Sequence, residues 1–395
     1  MHIFVARNQN LMGIIDWIIY LILALNAAYL LLFAFAAKAK RRQPAPTAKQ
    51  LRSFVFLIPA YREDAVIEEC ASSCLNQNYP RDLYEVVVIS DKMLAETNLR
   101  LSKMPIKLIE ARFEKSTKSK SLNLALSQLE GYDLCVVMDA DNVIQPDFLT
   151  QVNNAFAEGR HDIFQAHRTA KNLNTDLAIL DAASEEINNS IFRLGHANLG
   201  LSAALIGSGM IFDFDVFKQK MKTITAVGGF DRNLELSFLK EGHSIGYIPH
   251  VPVYDEKTQE YTVFSNQRRR WISAQLHYFS VFAGDLPKEL IKGNLDFCNK
   301  LMQQLLLPRI ISLGTPLLLG LATAIFMPEA SPKWFTLFFL VSIALLISIP
   351  KSLWNKRLLI ASLQLPKTFW VMFLTFFKLK GANKNFIHTQ HGVKK

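Results

Sequence analysis

A 21-residue run without a charged side chain, Trp17–Ala37, constrains this chain more than any other feature. At roughly 1.5 Å of rise per residue, a helix of that length crosses a hydrocarbon layer about 30 Å thick. Lys38, Lys40, Arg41 and Arg42 follow it at once. A signal peptide carries its positive charge ahead of a shorter apolar stretch. Despite the small residues around Ala34-Phe35-Ala36, the flanks therefore predict an uncleaved helix over residues 11–37 that ends in the cytosol. Ile310–Met327 and Trp334–Pro350 are two more such runs, and the short link Pro328–Lys333 makes them a transmembrane hairpin over 310–350. Lys351, Lys356 and Arg357 return that hairpin to the cytosolic side. Leu358–Phe377 is apolar as well, but Pro366-Lys367 divides it into stretches too short to span, and both flanks are basic. The expectation for 358–395 is an interfacial segment followed by a basic tail.

The charge follows the same division. The chain has 44 Lys+Arg against 34 Asp+Glu, a formal +10. Nine of the basic residues lie from Lys351 onward and six between Lys38 and Arg52, with no acid in either segment. What remains is net acidic, so nucleic acid is not an expected partner. Half of the residues are hydrophobic, which excludes a disordered protein. Four cysteines in 395 residues exclude a disulfide scaffold. Cys70 and Cys74 share a helix face with no further ligand nearby, and read, with Cys135 and Cys298, as thiols in a reducing compartment. His388 and His391 have ligand spacing but read as a surface tail.

Residues 53–300 have the pattern of an α/β domain. Ser53–Ile58 is a short buried strand ended by Pro59, and a helix over 64–76 follows. Tyr84–Ser90, Ile106–Glu110 and Leu134–Met138 are further strands, with a helix over 121–129 before the last. Alternating strands and helices predict a mostly parallel sheet, and such sheets bind ligands beyond the carboxyl ends of their strands. Pro59–Asp64, Asp91 and Asp139–Asn142 all fall at such ends. The absence of a Gly-x-Gly-x-x-Gly or Walker loop argues against a dinucleotide enzyme or a P-loop NTPase.

Several residues in this body carry chemistry. Asp139 and Asp141 leave one strand at i and i+2, where they can converge on Mg²⁺ or Mn²⁺ shared with substrate phosphates. Asp-x-Asp alone also fits a solvated turn; its place at the sheet edge favours the metal. Lys118 can bring an ammonium to phosphates, or can belong to an exposed basic turn. Gln267-Arg-Arg-Arg270-Trp271 opens a helix that offers guanidinium donors for phosphate and an indole wall for a sugar ring; it also fits a membrane-facing basic helix. Gly228-Gly-Phe-Asp231 precedes a helix over 234–240, and Asp231 alone reads as its N-cap before it reads as a general base.

The order of these motifs is more specific than any one of them. Pro59-Ala-Tyr61-Arg62-Glu63, Asp91, Lys118–Asn123, Asp139-Ala-Asp141, Gly207-Ser208-Gly-Met210, Gly228-Gly-Phe-Asp231 and Gln267-x-x-Arg270-Trp271 together resemble the membrane-bound family 2 glycosyltransferases. The branch with cellulose, hyaluronan and poly-N-acetylglucosamine synthases is the most similar. The resemblance implies a GT-A nucleotide-sugar-binding domain with flanking transmembrane helices and an inverting mechanism. It implies that Asp91 reads the nucleobase and that Pro59, Tyr61 and Glu63 line the same pocket. Lys118 would meet the diphosphate, and Asp139 and Asp141 the nucleotide-sugar with its Mg²⁺ or Mn²⁺. Gln267, Arg270 and Trp271, with Gly207 and Ser208, would bind the diphosphate and the acceptor end. Asp231 matches the general base of the family's Thr-Glu-Asp motif. Two departures stand out: Gly229-Phe230 replaces Thr-Glu, and Arg62 stands where Asn is usual. Glu235 is the alternative base, one helical turn on.

The expected function is transfer of a sugar from a nucleotide-sugar, taken as a UDP-sugar, to a hydroxyl of a growing glycan in polysaccharide synthesis. The catalytic domain is expected in the cytosol and the chain in the inner or plasma membrane. Three spans are few for a glycan channel, which would call for a homo-oligomer or an accessory subunit. Transfer of one sugar to a lipid acceptor is the alternative, and a non-catalytic membrane assembly subunit is a third reading.

Overall fold

The computed structural model describes residues 2–39, 46–226, 228–376, 378 and 392. Lys40–Arg42, His388, His391 and most of the basic tail lie outside the described residues.

Helix α1 (His2–Ala39) leads into β1 (Phe54–Tyr61), α2 (Ile67–Leu75), β2 (Tyr84–Asp91), α3 (Ala95–Leu101), β3 (Lys107–Ala111), α4 (Lys118–Leu126) and β4 (Leu134–Val137). Then come β5 (Val143–Ile144), α5 (Phe148–Ala157), β6 (Ile163–Ala170), α6 (Asp176–Asn188), a π-helical turn (Asn189–Gly195) and α7 (His196–Asn198). They are followed by β7 (Met210–Asp213), α8 (Phe214–Met221), α9 (Phe230–Lys240), β8 (Ile245–Asp255) and α10 (Tyr261–Phe282). The remaining helices are α11 (Leu286–Ile291), α12 (Leu295–Gln303), α13 (Arg309–Phe326), α14 (Ser331–Ser348), α15 (Lys356–Ser362) and α16 (Leu365–Phe376).

The strands form one sheet in the order β3-β2-β1-β4-β7-β6-β8-β5. The expected parallel arrangement holds from β3 to β4. Beyond β4 the sheet is mixed: β7 is antiparallel to both β4 and β6, β8 is parallel to β6, and β5 is antiparallel to β8. The change of sense has a cause in the chain path. After β6, α6 and the π-helical turn run to α1, where Ile187 and Ile191 pack, and the chain re-enters the sheet reversed as β7.

Strand β1 shows why its sequence is apolar at every position. Val55 and Leu57 belong to the core on one face of the sheet, and Phe54, Phe56 and Ile58 to the core on the other. A central strand covered on both faces has no polar side. Contrary to the sequence expectation, Pro59 does not end β1, which continues to Tyr61. The carbonyl of Leu57 accepts from the Met138 amide at 3.0 Å, so by alternation the missing N–H of Pro59 also faces β4. Pairing with β4 reaches only Leu57, so no ladder bond is lost there.

Three helical stretches are long and apolar enough to cross a membrane: Gly13–Ala39, Arg309–Phe326 and Pro328–Ser348. Leu23, Ala27 and Leu30 of α1 pack on Trp334, Leu337 and Val341 of α14. Lys333 at the start of α14 pairs with Asp16 of α1, and its ammonium lies 4.7 Å from the Trp17 ring and 5.2 Å from that of Trp334. The two helices therefore begin at one face and run the same way, with α13 as the return. At the other end, Asn198 Nδ2 donates to the Ala36 carbonyl at 2.9 Å, which fixes α1 to the α/β body. Gly195 permits that approach, since a Cβ there would stand 2.2 Å from the Phe33 carbonyl oxygen. Helices α15 and α16 are bent by 47° and reach spanning length only together. Leu358 and Ala361 of α15 pack on α6, while Phe369 and Met372 of α16 pack on Ile272 and Ile311.

Candidate active site

At the carboxyl edge of the sheet, Asp91 ends β2 with 1% exposure. Neither carboxylate oxygen is met in good hydrogen-bond geometry, and burial raises the Asp91 pKa above the usual carboxylate range against the opposing pull of the Ser116 hydroxyl, Lys92 and Arg62. An unmet buried acceptor is costly, and a ligand donor would relieve it. Arg62 and Lys92, just beyond the adjacent ends of β1 and β2, both take a left-handed backbone at φ 56°. That conformation is unfavourable for residues with a Cβ and concentrates at functional sites. The Arg62 amide donates to the Asp91 carbonyl at 3.2 Å, and the Tyr61 ring lies 5.3 Å from the Arg62 guanidinium. Glu63 directs its amide at Met93 Sδ, 3.1 Å away. Pro59, Tyr61, Glu63 and Asp91 thus stand at two neighbouring strand ends.

The second group lies one strand over. Helix α4 begins at Lys118, not at 121, and Thr117 Oγ1 caps it by accepting from the Lys120 amide at 3.2 Å. Lys118 Nζ bonds the Asp139 carboxylate and, at 2.7 Å, the Gly207 carbonyl. Asp141 is buried, accepting at Oδ2 from the Glu256 amide at 3.0 Å and at Oδ1 from Asn142 Nδ2 at 3.3 Å. Two carboxylates from one strand end, one fixed and one on an exchangeable lysine, suit a hard cation completed by phosphate oxygens. Among the described residues no group of three or more His, Cys, Asp or Glu could hold a metal unaided. The residues fit a cation that arrives with a phosphorylated substrate.

Sequence reasoning missed residues that organise this region. Asp255 ends β8 and is pushed up to about 6 by burial, against the pull of Arg168 at 3.5 Å and Lys257 at 2.5 Å. Gln165 pins the loop before β7, donating to the Ser208 carbonyl at 2.9 Å and accepting from the Ile206 amide at 3.1 Å. Gly207 in that loop has φ 85°, and Ser208 is fully buried with no hydrogen-bond partner at its hydroxyl. Asp255 had a signal in its position after a β-rich run; Gln165 had none.

Helix α9 begins at Phe230 rather than 234. Asp231 therefore lies inside the first turn, and the cap position belongs to Gly229, whose φ is 63°. The expected N-cap role of Asp231 is thereby removed. A Cβ on Gly229 would stand 2.6 Å from Ala274 Cβ and 2.9 Å from the Tyr278 ring, so glycine lets α9 press on α10. One turn on, Glu235 is buried, accepts from the Leu205 amide at 3.1 Å and lies 3.7 Å from Lys300 Nζ. Burial raises the Glu235 pKa. Gln267 does not open its helix, because Tyr261–Phe264 already form the first turn of α10. Thr258 Oγ1 donates to Gln267 Oε1 at 3.5 Å, and burial works against the charge of Arg270.

Where the α/β body meets α13–α16 there is a cavity of about 870 Å³. Asp231, Glu235, Arg268 and Trp271 line one side; Leu306, Ile310, Leu313, Leu345 and Leu358 line the other. Arg268, which the sequence did not single out, stacks over Trp271 at 4.4 Å and pairs with Asp181 of α6. Asp91, Lys118, Asp139, Asp141, Gln267 and Arg270 do not line this cavity. The loop before β7 connects the two regions: Ala204–Ile206 face the cavity, and the next carbonyl, of Gly207, holds Lys118.

A family model described as "Glycosyltransferase like family 2" matches residues 52–274. A beta-monoglucosyldiacylglycerol synthase of Synechocystis sp. is 25% identical over 267 residues, covering 64% of this chain and 54% of the relative. The probable glycosyltransferase YdaM of Bacillus subtilis is 23% identical over 242 residues, covering 56% and 55%. The chain thus spans about half the length of the curated relatives it matches. Among solved structures, mannosyltransferase PcManGT from Pyrobaculum calidifontis, in complex with GDP-Man and Mn²⁺, superposes with a TM-score of 0.56 at 18% identity, over 86% of this chain and 99% of that one.

Proposed function

This chain belongs to glycosyltransferase family 2 and is a transferase with a GT-A domain; from that premise we propose that it moves one sugar from a nucleotide-sugar to a hydroxyl on a membrane lipid. The observation that carries this reading is the cavity beside Asp231, walled on its far side by aliphatic side chains of α13–α15. An acyl chain fits such a wall, whereas a glycan needs aromatic and hydrogen-bonding groups along its length. The name of the Synechocystis relative, a glycolipid synthase, agrees with it.

The residues divide the work. Asp91, unmet and buried, accepts from the nucleobase or ribose beside Pro59, Tyr61 and Glu63. Lys118 exchanges Asp139 for the diphosphate, and Asp139 and Asp141 would hold the divalent cation. When bound, that cation, Mg²⁺ or Mn²⁺, would stabilise the charge developing on the leaving group. Asp231 takes the proton of the acceptor hydroxyl as that oxygen bonds the anomeric carbon from the face opposite the diphosphate. The bond to the nucleoside diphosphate breaks with its electron pair, and the configuration inverts. Glu235 lines the cavity too, but its Oε1 is already engaged by the Leu205 amide and Lys300, which favours Asp231 for this step. The basic flanks after α1 and α14 support a cytosolic catalytic domain, on the side where nucleotide-sugars are made.

Extension of a growing glycan is the second reading, favoured by Trp271, whose indole lines the cavity. The test uses the full chain in lipid vesicles with a panel of radiolabelled nucleotide-sugars and Mg²⁺ or Mn²⁺. One labelled glycolipid in the organic phase is expected. A ladder of products would establish the glycan reading, and transfer from no donor would leave the assembly-subunit reading.

A further inference from the structure

Five basic side chains line the cavity, Arg193, Arg232, Arg268, Arg309 and Lys356, against three carboxylates, Asp181, Asp231 and Glu235. Arg268 is paired with Asp181, yet its Nε is buried and has no hydrogen-bond partner. Arg309, the first residue of α13, donates through Nη2 to the Ser184 carbonyl at 3.0 Å and hydroxyl at 2.8 Å, while its buried Nη1 has no partner. Arg309 forms no ion pair with a carboxylate among the described residues. Both guanidiniums line the same cavity, with Lys356 at its edge, and their charges are close enough to act on one another. Leaving two buried guanidinium N–H groups unmet beside a like charge is unfavourable, and an oxyanion is the acceptor that such groups take. The donor's own diphosphate is accounted for elsewhere, because Lys118, Asp139 and Asp141 do not line this cavity. Arg309 also stands where an apolar helix begins, the depth at which lipid headgroups lie.

We propose that the acceptor lipid is anionic, with a phosphate in its headgroup bound by Arg268 and Arg309 and its chain held by Ile310, Leu313, Leu345 and Leu358. The inference rests on the lipid-acceptor reading above and narrows it from any lipid hydroxyl to a hydroxyl on a phosphate-bearing headgroup. The charge chooses the lipid, and the geometry then presents its hydroxyl toward Asp231, which lines the same cavity.

The experiment measures binding to the full chain in non-ionic detergent. The probes are dioctanoyl phosphatidylglycerol, dioctanoylglycerol and inorganic phosphate. Phosphatidylglycerol should bind about tenfold or more tightly than dioctanoylglycerol, and phosphate alone should bind far more weakly than either effect requires. Arg309→Gln should remove the preference. Arg309→Lys, which keeps the charge but loses the fork, should retain part of it and controls for a variant that fails to fold. Equal binding of both lipids, unchanged in Arg309→Gln, overturns the anionic inference while the lipid reading stands. No binding of either lipid sinks both. Inorganic phosphate competing as well as phosphatidylglycerol would make this a free-phosphate site and overturn the inference.

Discussion

Asp231 and Glu235 are one helical turn apart and both line the cavity, and we propose separate roles for them because the Leu205 amide and Lys300 engage Glu235. Asp231 faces the cavity, so Asp231→Asn should lower transfer by roughly 10²- to 10⁴-fold while donor affinity persists, checked by initial rates beside equilibrium donor binding. Glu235→Gln should act first on stability, lowering the unfolding free energy by about 1–3 kcal/mol in thermal or denaturant melts, because Lys300 loses its buried partner. Asp91 gives a pH-dependent prediction. Burial places its folded pKa above the unfolded one, so its favourable contribution is present at low pH and is lost as pH rises through the folded value. Asp91→Asn should therefore melt higher than the parent near neutral pH, with the difference vanishing in acid, and should bind donor more weakly. Asp91 was legible in the sequence because it ends an apolar run, and Asp231 and Glu235 because of the order of motifs around them. Arg268, Asp181 and Gln165 were not, since their meaning depends on partners such as the 87-residue separation of Arg268 and Asp181.

At the scale of elements, the alternation of strands and helices was readable, and the boundaries near the site were less so. Helix α9 starts four residues early because the left-handed Gly229 ends the preceding turn, a conformation that its neighbours impose. β1 runs through Pro59 because β4 is short, which nothing in β1 itself announces. The reversed strand β7 was unreadable for a similar reason: its direction follows from α6 docking on α1. The contact of α9 with α10 yields a prediction. Gly229→Ala adds a Cβ at 2.6 Å from Ala274 in a left-handed backbone, and should cost about 1–3 kcal/mol in thermal or denaturant unfolding. Because the same contact places Asp231, transfer should fall further than the folded fraction does.

For the whole molecule, the two halves of the account meet at the membrane. α1 and α14 start together at the Asp16–Lys333 pair, and α1 finishes at the α/β body; we propose that this body is cytosolic. Lys49→Cys should then resist an impermeant thiol reagent applied to intact cells. The native cysteines at 70, 74, 135 and 298 are all buried, so the background is low. The central claim is that the cavity beside Asp231 holds the lipid acceptor, separate from the donor residues. Leu306→Trp places an indole in that cavity from the loop before α13, away from Asp91, Lys118, Asp139 and Asp141. The most direct measurement compares donor binding and label transfer to lipid in this variant and the parent. Unchanged donor affinity with transfer reduced about tenfold or more is the predicted result; transfer at the parent rate with the cavity filled would contradict the account.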